Sequence, residues 1–466
     1  MLLTKSREST KSIVDQMKAG KKILLSVTIP IEPYHPIDFY NQNLETSIEK
    51  RFFWKAANEN FYLVGLDAVF TLSSKNEEDR FNEIHSLWQE MIQTAKMIET
   101  NPIGTGPILL GGFSFDPKTK KEEEWAGFGD ALFFLPKYML SVINDEYFLT
   151  YNEVCEPTFA DEKQMERTIY EFYQNLLSTT DSQPTRCKAT VSSSNEIGQV
   201  EWLKAVERVV HHLKTAKKIK KVVLARKMEL VFDHEMNPSS ILQSLHEQQR
   251  ESYTFAIENN HRCFLGATPE RLIKITNNEV LSTCLAGSAP RGENNEHDEK
   301  LGAELLNDEK NRFEHQLVVK MIQEALAPHC DGLHVPKEPV LMKTPAIQHL
   351  YTPVIGKAKE THSIFKMVEQ LHPTPALGGV PTMEALSIIR ENERMDRGFY
   401  GAPIGWTDYR GNGEFIVGIR SGLIKEQKAT LYAGCGLVSE SKPEDELIET
   451  RIKFRPMLQA LGGENK

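Results

Sequence analysis

Between Gly434 and Lys453 the chain sets Gly434, Gly436, Glu446, Glu449 and Lys453 at spacings that could hold a charged ligand. The run Gly434-Cys435-Gly436-Leu437 closes an alternating, strand-like segment and leaves backbone bare, where a ligand can approach without meeting a side chain. A helix is expected next, with Ser441 as its cap, Pro443 in its first turn and Glu444 three residues beyond the cap. On that helix Glu446, Glu449 and Lys453 stand at i, i+3 and i+7 and share one face, whereas Leu447, Ile448 and Ile452 share another. A solvated helix also carries such ion pairs. Their chemistry therefore depends on which other charged groups the fold brings to them.

Several candidates lie upstream. Lys221-Val-Val-Leu-Ala-Arg226 reads as a buried strand with Lys221 at its mouth, either as an edge lysine reaching water or as a site base. Cys263 to Thr268 reads as a strand that turns at Thr268-Pro269 and delivers Glu270, a cap or a site carboxylate. The turn Leu285-Ala-Gly-Ser-Ala-Pro-Arg-Gly292 is suited to presenting backbone N–H groups to an anion. Residues 296–327 read as one long helix with Leu317, Val318, Met321, Ile322 and Ala325 as its apolar stripe. Counting back from Leu317 and Val318 places Glu314 on the buried face, which is costly unless the carboxylate is paired or binds a metal. His349 falls among apolar neighbours in a short strand, where a hydrogen-bonded core histidine is the plain alternative. Residues 414–424 and 429–434 read as a hairpin. Period two then puts Gly418, Arg420 and Gly422 on one face, with room for Arg420 to grip a carboxylate.

These residues must be positioned by a large soluble core, which 466 residues with 40% hydrophobic and 26% charged side chains can supply. A net charge of −10 argues against nucleic acid and anionic membranes as partners. The cysteines are scattered without zinc-ligand spacing, no export signal or membrane-spanning run is evident, and a cytoplasmic location is expected. Residues 6–18 and 76–99 have helical spacing, and residues 22–29, 61–64 and 107–115 read as strands. The glycines at 104, 106, 111 and 112 fit strand packing better than a phosphate loop. A polar connector over 181–197 marks a boundary, giving a sheet-rich region over 1–198 that contributes to a common core, and a second region over 199–460.

Taken in order, Lys221-Val-Val-Leu-Ala-Arg, Gly266-Ala-Thr-Pro-Glu-Arg-Leu, Leu285-Ala-Gly-Ser-Ala-Pro-Arg-Gly, Glu314-His, Gln348-His-Leu-Tyr, His372-Pro-Thr-Pro-Ala, Asp396-Arg-Gly-Phe-Tyr-Gly and Ala433-Gly-Cys-Gly-Leu-Val resemble the motifs of chorismate-utilising enzymes. With the Glu446/Glu449/Lys453 helix, the resemblance spans about residues 200 to 458. It implies an α/β (α+β) fold like that of anthranilate synthase component I, with two large antiparallel sheets face to face and helices outside. It implies chorismate as substrate and Mg²⁺ as cofactor, held by Glu314 and Glu449 with Glu446 in support. Arg420, Tyr400 and the Gly434 and Gly436 backbone are similar to groups that hold a substrate carboxylate. Lys453, Gly287 and Ser288 resemble further contacts, and His349 resembles one near the ring hydroxyl.

Lysine at position 221 resembles the water-using branch of the family, which implies Lys221 as general base and Glu270 as general acid. The implied reaction adds water at C2 of the ring, shifts the double bond and expels the C4 hydroxyl, giving isochorismate. The long N-terminal region is similar to the menaquinone-pathway branch. A salicylate synthase, which also eliminates pyruvate, and a siderophore-pathway member are the alternatives. Gly434-Cys435-Gly436 is not G-x-C-x-G, and no amidotransferase subunit is expected.

Overall fold

The computed structural model describes residues 10–42, 48–74, 76–98, 102–159, 161–178, 189–216, 218–343, 347–360 and 363–463. Its strands form one connected, almost wholly antiparallel network that divides at a corner. The corner is the strand Ala131–Ile143, which pairs along most of its length with Phe61–Ser74. Its first residues also pair with Ile108–Phe113, and its last with Glu146–Cys155. Pro136 has no N–H to give a ladder. The register of the partner strand slips beside it, between Ala68 and Phe70. Such a bulge bends a strand and lets it serve two sheets.

From the corner one series of pairings runs through Phe61–Ser74, Lys50–Lys55, Tyr253–Asn259, Arg262–Thr268, Ser421–Lys425 and Lys428–Leu437 to Lys221–Phe232. The other runs through Ile108–Phe113, Pro403–Asp408, Gly413–Val417, Arg271–Thr276 and Glu279–Pro290 to Ile347–Ala358. Residues from both halves of the chain therefore alternate within each series. The facing sides bury Phe113, Phe133, Phe255, Phe264, Phe415 and Tyr432 in one continuous core. The far side of the first series packs Phe53, Leu265 and Ala433 against helices through Leu242, Ile169, Phe454 and Met457. Gly111 and Gly112 sit inside a strand, where a Cβ at Gly111 would lie 2.1 Å from the Leu132 carbonyl oxygen.

Several local expectations are corrected. The helical spacing over 76–99 resolves into the helix Arg80–Ile92 and the short strand Lys96–Ile98, which pairs in parallel with Ile23–Ile31. The first helix is Thr10–Lys18, and residues 6–9 lie outside the described residues. The connector ends in a strand, Val191–Glu196, along the edge of Lys221–Phe232. Its exposed serines give no apolar alternation, and it is held by main-chain pairing and by Glu196, which accepts from Arg226 and Arg451 at 2.8 Å each. The long helix over 296–327 is two helices, Asn295–Asn307 and Glu309–Leu326. Asp308 leaves helical geometry between them (ψ 114°) and caps the second by accepting the Asn311 N–H at 2.7 Å.

Candidate active site

The site lies where the strand Lys221–Phe232 meets the glycines of Lys428–Leu437. Antiparallel pairing sets Gly436 opposite Val223 and Gly434 opposite Ala225. A Cβ at Gly436 would stand 2.5 Å from Cε and 3.1 Å from Nζ of Lys221, so the glycine leaves the lysine its path across the sheet. A Cβ at Gly434 would stand 3.3 Å from the Tyr400 hydroxyl. Tyr400 is buried and stacks on Tyr432 with ring centroids 5.5 Å apart. The Lys221 strand is fixed from behind by Glu393, which accepts the Ala225 N–H at 2.5 Å. Arg397, paired with Glu393, donates to the Val223 carbonyl at 2.8 Å and the Leu377 carbonyl at 2.9 Å.

Burial pushes the Lys221 ammonium down from its ordinary range, and Lys453 adds to this, against the opposing pull of Glu314, Glu449 and Glu270. Glu270 follows the strand Arg262–Thr268 and is tethered through its own backbone. Its N–H donates to Thr268 Oγ1 at 3.2 Å, and its carbonyl accepts the Val417 N–H at 3.0 Å. Burial raises its carboxyl to about 7, with Arg420, Lys221 and Lys453 holding it from going higher. The site thus sets a lysine pushed toward neutrality near a carboxyl that keeps its proton near pH 7.

Arg420 is reached by a route the strand pattern did not show. The strand Gly413–Val417 ends before Gly418, and Arg420 takes the left-handed conformation (φ 50°) before a new strand, Ser421–Lys425, begins. Period two therefore does not relate Gly418, Arg420 and Gly422. Close crossing of backbones is the reason: the Ala267 N–H donates to the Arg420 carbonyl at 3.1 Å, and a Cβ at Gly266 would lie 2.6 Å from that oxygen. A left-handed non-glycine residue costs on the order of 1 kcal/mol and is found where a side chain must be aimed. Burial lowers the Arg420 pKa, with Tyr400, Glu270 and Glu449 opposing. Among the described residues neither the Arg420 guanidinium nor Lys221 Nζ makes a hydrogen bond or ion pair.

His349 faces the turn of Glu279–Pro290, where the register shifts between Leu285 and Ser288. Its Nδ1 and Ser288 Oγ share a hydrogen bond of 2.8 Å, and Gly287 takes a positive φ of 81° to make the turn. Burial, with Arg420 and Lys453 adding to it, lowers the imidazole to about 4, so His349 is neutral at physiological pH.

The C-terminal helix, Pro443–Ala460, supplies the remaining groups. Its cap position is Lys442, not Ser441, whose hydroxyl accepts the Val438 N–H at 3.1 Å and bonds Glu446. Lys453 Nζ lies 2.6 Å from Glu449 Oε1 and donates to the Gly434 carbonyl at 2.8 Å. Glu446 is buried with its pKa raised by that burial, against bonds from Ser441 and Cys435, and its Oε2 has no partner among the described residues. Glu314 is half-buried on Glu309–Leu326, and the buried stripe of that helix is His315, Val318, Ile322 and Leu326.

Among the described residues, no group of three His, Cys, Asp or Glu side chains is drawn together as a ready metal cage. The donor set nonetheless fits a hard cation. Glu314 and Glu449 both bear electrostatically on Lys221, Glu446 keeps a buried oxygen unpartnered, and Mg²⁺ takes one or two protein carboxylates with water and substrate oxygens.

Two half-buried basic groups that make no side-chain hydrogen bond or ion pair among the described residues, glycines that admit a ligand to the backbone, and an acid and a base with opposed pKa shifts make an acid–base site for a small carboxylated substrate. Residues 9–462 match the family model described as "Chorismate binding enzyme", and the chain belongs to that family. It is 41% identical over 476 residues to the isochorismate synthase MenF of Bacillus subtilis, with all of both chains covered. It is 33% identical over 459 residues to the salicylate biosynthesis isochorismate synthase of Pseudomonas aeruginosa, covering 97% of this chain and 93% of the relative. The structure of the menaquinone-specific isochorismate synthase MenF from Escherichia coli superposes with a TM-score of 0.76 at 21% identity, over 97% of this chain and 99% of that one, and so shares the fold.

Proposed function

We propose that the protein is an isochorismate synthase, converting chorismate to isochorismate. The observation that carries the mechanism is the opposed pair, Lys221 pushed down and Glu270 raised to about 7, beside an Arg420 whose guanidinium makes no ion pair among the described residues. Lys221 Nζ takes a proton from water as the water oxygen bonds to C2 of the ring. The double bond shifts as the C4–O bond breaks, and Glu270 gives its proton to the departing hydroxyl, which leaves as water. Atoms balance: one water enters, one leaves, and substrate and product are isomers. Arg420 and the Gly434–Gly436 backbone hold a carboxylate, Tyr400 closes that side, and neutral His349 hydrogen-bonds near the ring hydroxyl. Glu314 and Glu449 are the residues to hold Mg²⁺, with Glu446 in support; the ion, when bound, anchors and polarises a substrate carboxylate.

A place in menaquinone synthesis is supported by the full-length match to the Bacillus subtilis MenF. We place the protein in the cytoplasm. No helix among the described residues is long and apolar enough to cross a membrane, and the free thiols Cys155, Cys263, Cys284, Cys330 and Cys435 suit a reducing compartment. An amidotransferase subunit has no part in this reading.

The test is incubation of purified protein with chorismate and Mg²⁺, without an ammonia source, and chromatography of the products. Isochorismate without pyruvate is expected. Salicylate with pyruvate assigns a lyase instead, and turnover that requires ammonia or glutamine overturns both.

A further inference from the structure

Three elements deliver groups to the site from its far side: the helix Glu309–Leu326 brings Glu314, the turn of Glu279–Pro290 brings Gly287 and Ser288, and the strand Ile347–Ala358 brings His349. One buried side chain touches all three. His315, only 2% exposed, stands next to Glu314. Its Nδ1 lies 3.0 Å from the Ala286 carbonyl oxygen, and its Nε2 lies 2.7 Å from Thr352 Oγ1. A carbonyl oxygen only accepts, so the ring proton is on Nδ1 and the bare Nε2 accepts from the Thr352 hydroxyl. Cys284 Sγ, 3.5 Å from Nδ1, closes the remaining side. The same region is crowded in a second way: a Cβ at Gly287 would lie 3.2 Å from both Asn311 Cβ and Leu350 Cδ1, so the turn rests directly on the helix and the strand.

We propose that His315 is a positioning residue for the reaction. Its two directional bonds lock the rotation of the Glu314 helix to the Ala286–Ser288 turn and to the His349 strand, so that metal-holding and ring-holding groups keep one fixed spacing. A leucine of similar size would fill the volume and supply neither bond, and the three elements would then be related only by apolar packing, which is not directional. The Glu314 arm rests on the metal reading above; the Gly287–Ser288 and His349 arms do not.

The test compares wild type with H315L, H315N, T352V and E314Q. Asparagine keeps an N–H for the Ala286 carbonyl but does not reach Thr352, and T352V removes only the other bond. Mg²⁺ binding to the resting enzyme is measured by calorimetry, and kcat and KM for chorismate are measured separately. For H315L we expect Mg²⁺ affinity weaker by about 10- to 100-fold, the usual effect of removing a group that orients a ligand, together with a raised KM. H315N and T352V fall between it and wild type. A fall in Tm alone, with Mg²⁺ affinity and KM at wild-type values, makes His315 merely structural and overturns the proposal. If H315L does not fold, H315N and T352V decide by the same two readouts. If E314Q leaves Mg²⁺ affinity unchanged, the metal reading has failed, and His315 is judged on KM alone, an unchanged KM overturning it.

Discussion

Burial sets the chemistry of the single residues. Lys221 loses hydration and is pushed toward its neutral, basic form, while Glu270 loses hydration and keeps its proton to about 7. Lys221→Ala is expected to lower kcat on the order of 10²- to 10⁴-fold, the range for a lost acid–base group, with circular dichroism and Mg²⁺ binding unchanged; near-normal turnover removes it as base. For Glu270 the sign follows from its raised pKa, since the acid must be protonated to act. The pH profile of kcat/KM should fall above about 7, and a profile flat to pH 9 contradicts the role. The same shift makes the buried carboxylate a growing cost to the fold as pH rises from the ordinary carboxylate range through about 7. Glu270→Gln should therefore gain more in Tm at pH 8 than at pH 5, measured by calorimetry on the two proteins. These two residues were legible because each stands at the end of a readable strand. His315 was passed over because counting from Leu317 favoured Glu314, although the spacing 315, 318, 322, 326 was there to be found.

Where secondary-structure elements meet, glycines decide what fits. Gly436 lies in a buried strand, and the three atoms nearest its Cβ would all belong to the Lys221 side chain. Gly436→Ala should leave the sheet paired and the Tm nearly unchanged while displacing the ammonium. A shift of about 1 Å at a reacting group can cost 10²-fold in rate, so a fall in kcat of about that size is expected from steady-state kinetics; wild-type kcat would show that the contact is relieved without consequence. Element boundaries were less legible than element types. The break at Asp308 was marked by an aspartate able to cap, yet apolar spacing ran through it. The left-handed turn at Arg420 had no local mark, because crossing of the backbone with Ala267, distant in sequence, imposes it.

The whole molecule is organised by long-range pairing. Tyr253–Asn259 is flanked by Lys50–Lys55, and Pro403–Asp408 by Ile108–Phe113, so a chain cut at the connector would bare strand edges in both sheets. Arg390 adds a link across the halves, donating to the buried Asp116 at 2.6 Å. A fragment of residues 199–466 is expected to be insoluble or to lack a cooperative thermal transition, whereas the full chain should unfold in one. A soluble, active fragment would show that the second region folds by itself.

Composition, the order of the short motifs and the residue types at their ends were enough to determine the family, the substrate class and which side chains to watch, because those properties are local and are written in adjacent residues. Proximity was decided only by the tertiary structure. That Lys221 passes over Gly436, that Arg420 turns left-handed where its backbone crosses Ala267, and that His315 holds three elements together all depend on strands brought side by side from distant parts of the chain. Burial, and with it the opposed shifts of Lys221 and Glu270, exists only once those strands are packed, since desolvation belongs to the assembled core and not to any stretch of sequence.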